Sequence, residues 1–116
     1  MQYLLLIYGD EKAMNDMPAE AIEASMGEYM AYTEAMGKSG GMRAGEALHP
    51  TAAATTVRVQ NGKSVTTHGP FAETKEQLGG FYLLDCKNLD EAIEWAAKCP
   101  GARYGSIEVR PVMEFS

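Results

Sequence analysis

Two short segments of this 116-residue chain are apolar on both sides, and they restrict its fold more than any other feature. In QYLLLIY, Gln2 to Tyr8, an extended backbone points Tyr3, Leu5 and Ile7 one way and Leu4, Leu6 and Tyr8 the other. The segment Gly79 to Cys86 repeats the arrangement, with Phe81 and Leu83 on one face and Tyr82 and Leu84 on the other. Strands of this kind are covered on both faces. A chain of this length forms one domain, spanning 1–116, so the elements available to cover two faces are few.

The remaining elements follow from local signals. Asp16 and Pro18 offer a helix start, and the spacing predicts a long helix from about Pro18 to Lys38 that ends at Ser39-Gly40-Gly41. Its apolar stripe runs Ile22, Met26, Tyr29, Thr33, Met36. Met42 to His49 reads as a weaker strand interrupted by Gly45. TTVRVQNGKSVTTHG alternates around Asn61-Gly62, the pair preferred where both turn residues need positive φ, and predicts a peripheral hairpin with a wet face carrying Thr56, Arg58 and Lys63. Asn88 and Glu91 resemble a capping box before a helix over Leu89–Lys98, closed by Cys99-Pro100-Gly101. Tyr104 to Val112 alternates Ile107 and Val109 against Glu108 and Arg110 as the last strand.

The order is strand, helix, strand, inserted hairpin, strand, helix, strand. This is the α+β, ferredoxin-like βαββαβ plan with one addition. Both helices then cover one face of the sheet, and the other face, to which Tyr8, Tyr82 and Leu84 are assigned, lacks shelter. A second copy packing sheet to sheet, as a dimeric α/β barrel, supplies it and encloses a cleft, so a homodimer is expected.

Composition removes several classes of function. Ten basic against sixteen acidic side chains give a net charge of −6 with no concentrated basic patch, which argues against nucleic acid and acidic membranes as partners. No apolar run approaches the roughly 20 residues of a membrane span. The N-terminal MQYLLLIYGDE lacks a basic start and a small-residue cleavage site, so a cytoplasmic protein is expected, with Cys86 and Cys99 reduced and serving as packing residues. His49, His68, Cys86 and Cys99 form no close pair of metal-ligand spacing, and neither a phosphate-binding glycine loop nor a nucleophile elbow occurs, so no metal and no cofactor is expected.

The segment HGPFAETKEQLGGFYLLD, His68 to Asp85, resembles the DGPF-domain branch of the YCII-related proteins. The signature of that branch reads Asp-Gly-Pro-Phe and continues Ala-Glu-(Thr/Ser)-Lys-Glu, and Gly69, Pro70, Phe71, Ala72, Glu73, Thr74, Lys75 and Glu76 match it. The likeness extends through YLLLIYGDE, AGEAL, TTVRV, EAIEWAAKCP and IEVRPV, nearly the whole chain. It implies a small cytoplasmic protein, ferredoxin-like and dimeric as an α/β barrel, from a group that looks like small enzymes acting through a His and Asp pair and whose genes often neighbour those of sigma factors. His68 stands where the branch has aspartate, replacing a permanent negative charge with an imidazole, which leaves room for proton transfer.

These readings nominate one site. His68, after a strand and before Gly-Pro, is placed as a general acid or base; a turn-capping histidine fits the same position. Glu73 and Lys75 suit an acidic or carbonyl ligand, with Lys75 buried between carboxylates, or else form a loop ion pair. Glu108 and Arg110 share the face opposite the helices, where they bind a polar ligand or pair with each other. Glu46 and His49, three apart, reach a shared site only if Gly45 marks a bulge. The expected function is a homodimer with a small-molecule cleft and acid-base chemistry at its mouth. The alternative is a non-catalytic module that binds a ligand or a protein, linked to sigma-factor regulation.

Overall fold

The doubly apolar segments are the two central strands of one antiparallel sheet. The structure, a computed structural model, describes residues 1–115. Strand β1 (Gln2–Gly9) pairs on one side with β5 (Gln77–Asp85) and on the other with β6 (Ser106–Pro111), while β2 (Met42–Ala47) extends the sheet beyond β5. The order β2-β5-β1-β6, with helix α2 (Ala19–Ser39) after β1 and helix α3 (Leu89–Lys98) after β5, is the expected ferredoxin-like plan. Strands β3 (Thr55–Gln60) and β4 (Lys63–His68) form the inserted hairpin as a separate two-stranded sheet. A short helix, α1 (Glu11–Asn15), was not anticipated from the sequence; Asp10 caps it by accepting from the amides of Lys12 and Ala13.

Both long helices lie on one face of the sheet. The core joins Tyr3 and Leu5 of β1, Tyr82 and Leu84 of β5, Tyr32 and Met36 of α2, and Ala92 and Ala96 of α3, closed by Cys86 and Cys99. Three aromatic rings knit its layers together. Tyr32 meets Tyr82 edge-on at 5.5 Å and Trp95 at 6.0 Å, its hydroxyl donates to the Trp95 carbonyl at 2.6 Å, and the Tyr82 hydroxyl bonds Thr33 Oγ1 at 2.8 Å. Gly45, opposite Tyr82 in the β2–β5 register, makes room for that ring: a Cβ there would lie 2.7 Å from Tyr82 Cδ1.

The packing corrects two expectations. Tyr82 and Leu84 belong to the helix-covered core, and their neighbours Phe81 and Leu83 take the open face. Because β5 is apolar on both sides, alternation alone cannot assign the faces; the space at Gly45 and the hydrogen bond between the Tyr82 hydroxyl and Thr33 go with Tyr82 on the helix side. The sheet-facing side of α2 is likewise turned by about one residue, with Tyr32 and Met36 buried, Ala21, Ser25, Tyr29 and Thr33 partly covered, and Ile22 and Met26 exposed.

The hairpin matches its signal. Asn61 and Gly62 have φ of 52° and 77°, as a tight turn between right-twisted strands requires, and no residue of β3 or β4 is buried. Asn88 caps α3, its side chain accepting from the Glu91 amide at 3.0 Å.

Candidate functional site

The sheet face away from the helices is uncovered. The strand registers place Leu4, Leu6 and Tyr8 of β1 beside Leu83, Phe81 and Leu78 of β5, and these six half-exposed side chains form its floor. Across β6, Leu4 faces Arg110, Leu6 faces Glu108 and Tyr8 faces Ser106; across β2, Phe81 faces Glu46. An apolar floor is thus bordered by charge along both edges. The slab is only 19 Å thin in its shortest dimension, and the described residues supply no second layer over this face.

At one end of the floor, where β1 stops and β5 and β6 start, the chain from Gly69 to Glu76 arrives. Gly69 turns with φ of +94°, a conformation that suits glycine, while its amide donates to the Ala54 carbonyl at 2.7 Å and its carbonyl accepts from Thr56 Oγ1 at 2.8 Å. This closes the root of the hairpin. The loop is then stitched to the sheet: Thr74 Oγ1 donates to the Glu76 carbonyl, Gln77 Nε2 to the Thr74 carbonyl, and Ser106 Oγ to Glu76 Oε1 at 2.8 Å. Thr74, Glu76 and Gln77 thereby position the loop, and Phe71, Glu73 and Lys75 present their side chains to solvent.

Of the residues nominated from sequence, Glu108 and Arg110 come together, Arg110 Nη2 lying 2.8 Å from Glu108 Oε1 on the open face. Both remain substantially exposed, so the pair orients the two charges more than it stabilises the fold. His68 ends β4 and is exposed, sharing a ribbon face with Thr55, Val57, Val59 and Thr66. Glu73 and Lys75 are exposed on the loop, so Lys75 is not the buried lysine expected. Glu46 lies on the open face at the β2 edge, and the β2 irregularity falls between Met42 and Ala44 instead of at Gly45.

Sequence reasoning missed Glu11. Its carboxylate accepts from both the amide and the hydroxyl of Thr51 at 2.8 Å, and its own amide donates to Gln77 Oε1 at 3.0 Å. One residue therefore ties α1, the turn before the hairpin and the start of β5 together at the end of the sheet where the signature loop arrives. The only local signal is an acid in the first turn of a helix, a placement that the helix dipole favours with or without a distant partner.

Elsewhere, burial raises the pKa of Tyr29, Tyr32 and Tyr82, with the neighbouring Cys99 adding to it, so these hydroxyls stay protonated inside the core. Among the described residues no three His, Cys, Asp or Glu side chains group as metal ligands, and no helix is long and apolar enough to cross a membrane.

Known proteins resemble the chain in both sequence and fold. The model of the family described as YCII-related domain matches residues 1–116. The chain is 41% identical over 114 residues to the Uncharacterized protein R00369 of Rhizobium meliloti (strain 1021), covering 97% of this chain and 92% of that one. Its fold is similar to that of the 5-chloro-2-hydroxyhydroquinone dehydrochlorinase TftG of Burkholderia phenoliruptrix AC1100, solved in complex with 2,5-dihydroxybenzoquinone, with a TM-score of 0.51 at 14% identity over 99% of this chain and 96% of that one.

Proposed function

The chain belongs to the YCII-related domain family, and on that premise we propose that two copies pack open face to open face and enclose a cleft for a small molecule. The observation that carries the reading is the apolar floor of Leu4, Leu6, Phe81 and Leu83 bordered by Glu46, Glu108 and Arg110. Covering such a floor contributes on the order of 1 kcal/mol per half-exposed side chain, enough in sum to hold a dimer. The charged borders suit a ligand that is flat and apolar in its middle and oxygenated at its rim. The hydroxylated quinone bound by TftG has that chemistry and is the first probe to use.

Within this reading His68 serves as acid or base at the mouth of the cleft, Glu73 and Lys75 orient the ligand from the loop, and Glu108 and Arg110 meet it on the floor. The protein works in the cytoplasm. A second reading, a non-catalytic dimer that binds a ligand or a protein, is favoured by the exposure of His68, Glu73 and Lys75 in the single chain.

A thermal-shift screen of hydroxylated quinones and related oxygenated aromatics tests binding, and His68→Ala and Lys75→Ala separate the two roles. Under the catalytic reading both variants keep the wild-type melting temperature and lose turnover of the ligand found. Retained turnover in both variants contradicts it. Ligand binding without turnover in the wild type leaves the binding module as the function.

A further inference from the structure

The open face carries an unpaired carboxylate at its β2 edge and a guanidinium at its β6 edge, and we propose that in the face-to-face dimer Glu46 of each copy closes onto Arg110 of the second copy, so that each copy completes the charged border of the shared cleft. This contact rests on the dimer reading above and fixes how the two sheets are placed.

The registers line up one row across all four strands: Glu46 of β2 faces Phe81, Phe81 faces Leu6, and Leu6 faces Glu108 of β6. The next row runs Ala44, Leu83, Leu4, Arg110. Three strand spacings put about 14 Å between the backbones of Glu46 and Glu108. Two apolar side chains therefore separate Glu46 from the guanidinium that Glu108 holds in the same chain. Glu46 enters none of the ion pairs among the described residues. A second sheet laid over this face takes the Glu46 carboxylate out of water, where it needs a cation.

The supply of donors selects the partner. Arg43, the basic residue of β2, is already committed, with Nη1 donating to the Gly40 carbonyl at 2.8 Å and Nη2 to Asp85 Oδ2 at 3.1 Å. Among the described residues Arg110 donates to Glu108 alone, and its planar fork keeps donors for a second carboxylate. Symmetry then separates two placements. A twofold axis running along the strands sets β2 of one copy over β6 of the other, whereas an axis across the strands sets β2 over β2. The crosswise placement gathers both Glu46 carboxylates at one edge, beside arginines that are already occupied. The lengthwise placement keeps position along the strands and lays each Glu46 over the Glu108–Arg110 pair of the other copy, twice by symmetry. Two copies of net charge −6 repel each other overall, and two such links offset this where the sheets meet.

Sedimentation equilibrium of Glu46→Arg, of Arg110→Glu and of their equimolar mixture tests the contact, with circular dichroism to show that each variant is folded. Each variant alone sets like charges against each other twice and is expected to dimerise at least about tenfold more weakly than the wild type. In the mixture each introduced charge meets its opposite, and a heterodimer within about threefold of wild-type affinity is expected. Glu46→Arg makes the chain less negative, so general repulsion alone predicts a tighter dimer for it, and a tighter dimer overturns the contact. A mixture that dimerises no better than the separate variants also overturns it, while a dimeric wild type keeps the sheet-to-sheet reading. Should a charge reversal prevent folding, Glu46→Gln, Arg110→Gln and the doubly substituted chain give the answer: the contact predicts a double variant that dimerises about as well as either single one, and additive losses overturn it. A wild type that is monomeric at micromolar concentration overturns both the contact and the dimer.

Discussion

Gly69 adopts φ of +94°, where an L side chain costs about 1–2 kcal/mol, so Gly69→Ala is expected to lower stability by roughly that amount in a urea melt. Gly45 is a glycine for a different reason, space under the Tyr82 ring, and Gly45→Ala is expected to cost about 1–3 kcal/mol by forcing the ring or β2 to move. Both glycines were visible in the sequence, the first as part of a signature and the second as a strand interruption, but neither cause was: one is a backbone angle and the other a contact with a strand far away in the chain. The buried tyrosines make a prediction with a definite sign. Their native pKa values lie above the ordinary value near 10, so above about pH 10 the unfolded chain has released protons that the native core still holds. Stability is therefore unaffected by these groups below about pH 10 and falls as pH rises beyond it. Urea melts on either side of that pH check it, and Tyr32→Phe, which removes one of the three protons, is expected to make the decline shallower.

Among the elements, those with strong local signals were the most legible. The Asn61-Gly62 hairpin and the capped helix α3 appear within the bounds their sequence set, because turn and cap chemistry act over three or four residues. The orientation of α2 was not legible. Its sequence supports two adjacent stripes, Ile22-Met26-Tyr29-Thr33-Met36 and Ala21-Ser25-Tyr29-Tyr32-Met36, and what sets them apart is Tyr32, buried against Tyr82 and Trp95 with its hydroxyl on the Trp95 carbonyl. The hairpin's attachment through Glu11 is open to a direct check. Glu11→Ala removes both hydrogen bonds that hold Thr51 and is expected to speed amide exchange over residues 55–68 while leaving β1 and β5 protected. Equal acceleration in the core strands would show that Glu11 stabilises the whole domain instead of its arm.

For the whole molecule, the uncovered apolar face is legible in the sequence alone: with strands apolar on both faces and two helices on one side, the other side is left open. The particular residues left open were partly misassigned, Phe81 and Leu83 taking the place of Tyr82 and Leu84, yet either parity leaves an apolar floor. The candidate site was less legible. Glu108 and Arg110 could be placed by alternation within one strand, whereas the surroundings of His68, Glu73 and Lys75 depend on where a hairpin and a loop project, and in the proposed dimer on residues of a second chain. Whether the open face is an interface is decided by sedimentation equilibrium at micromolar concentration on the wild type and on Leu6→Asp, since Leu6 sits on the floor between Phe81 and Glu108 and outside the helix-covered core. A dimeric wild type and a folded, monomeric Leu6→Asp are expected; a monomeric wild type, or a variant that dimerises unchanged, would contradict the sheet-to-sheet dimer.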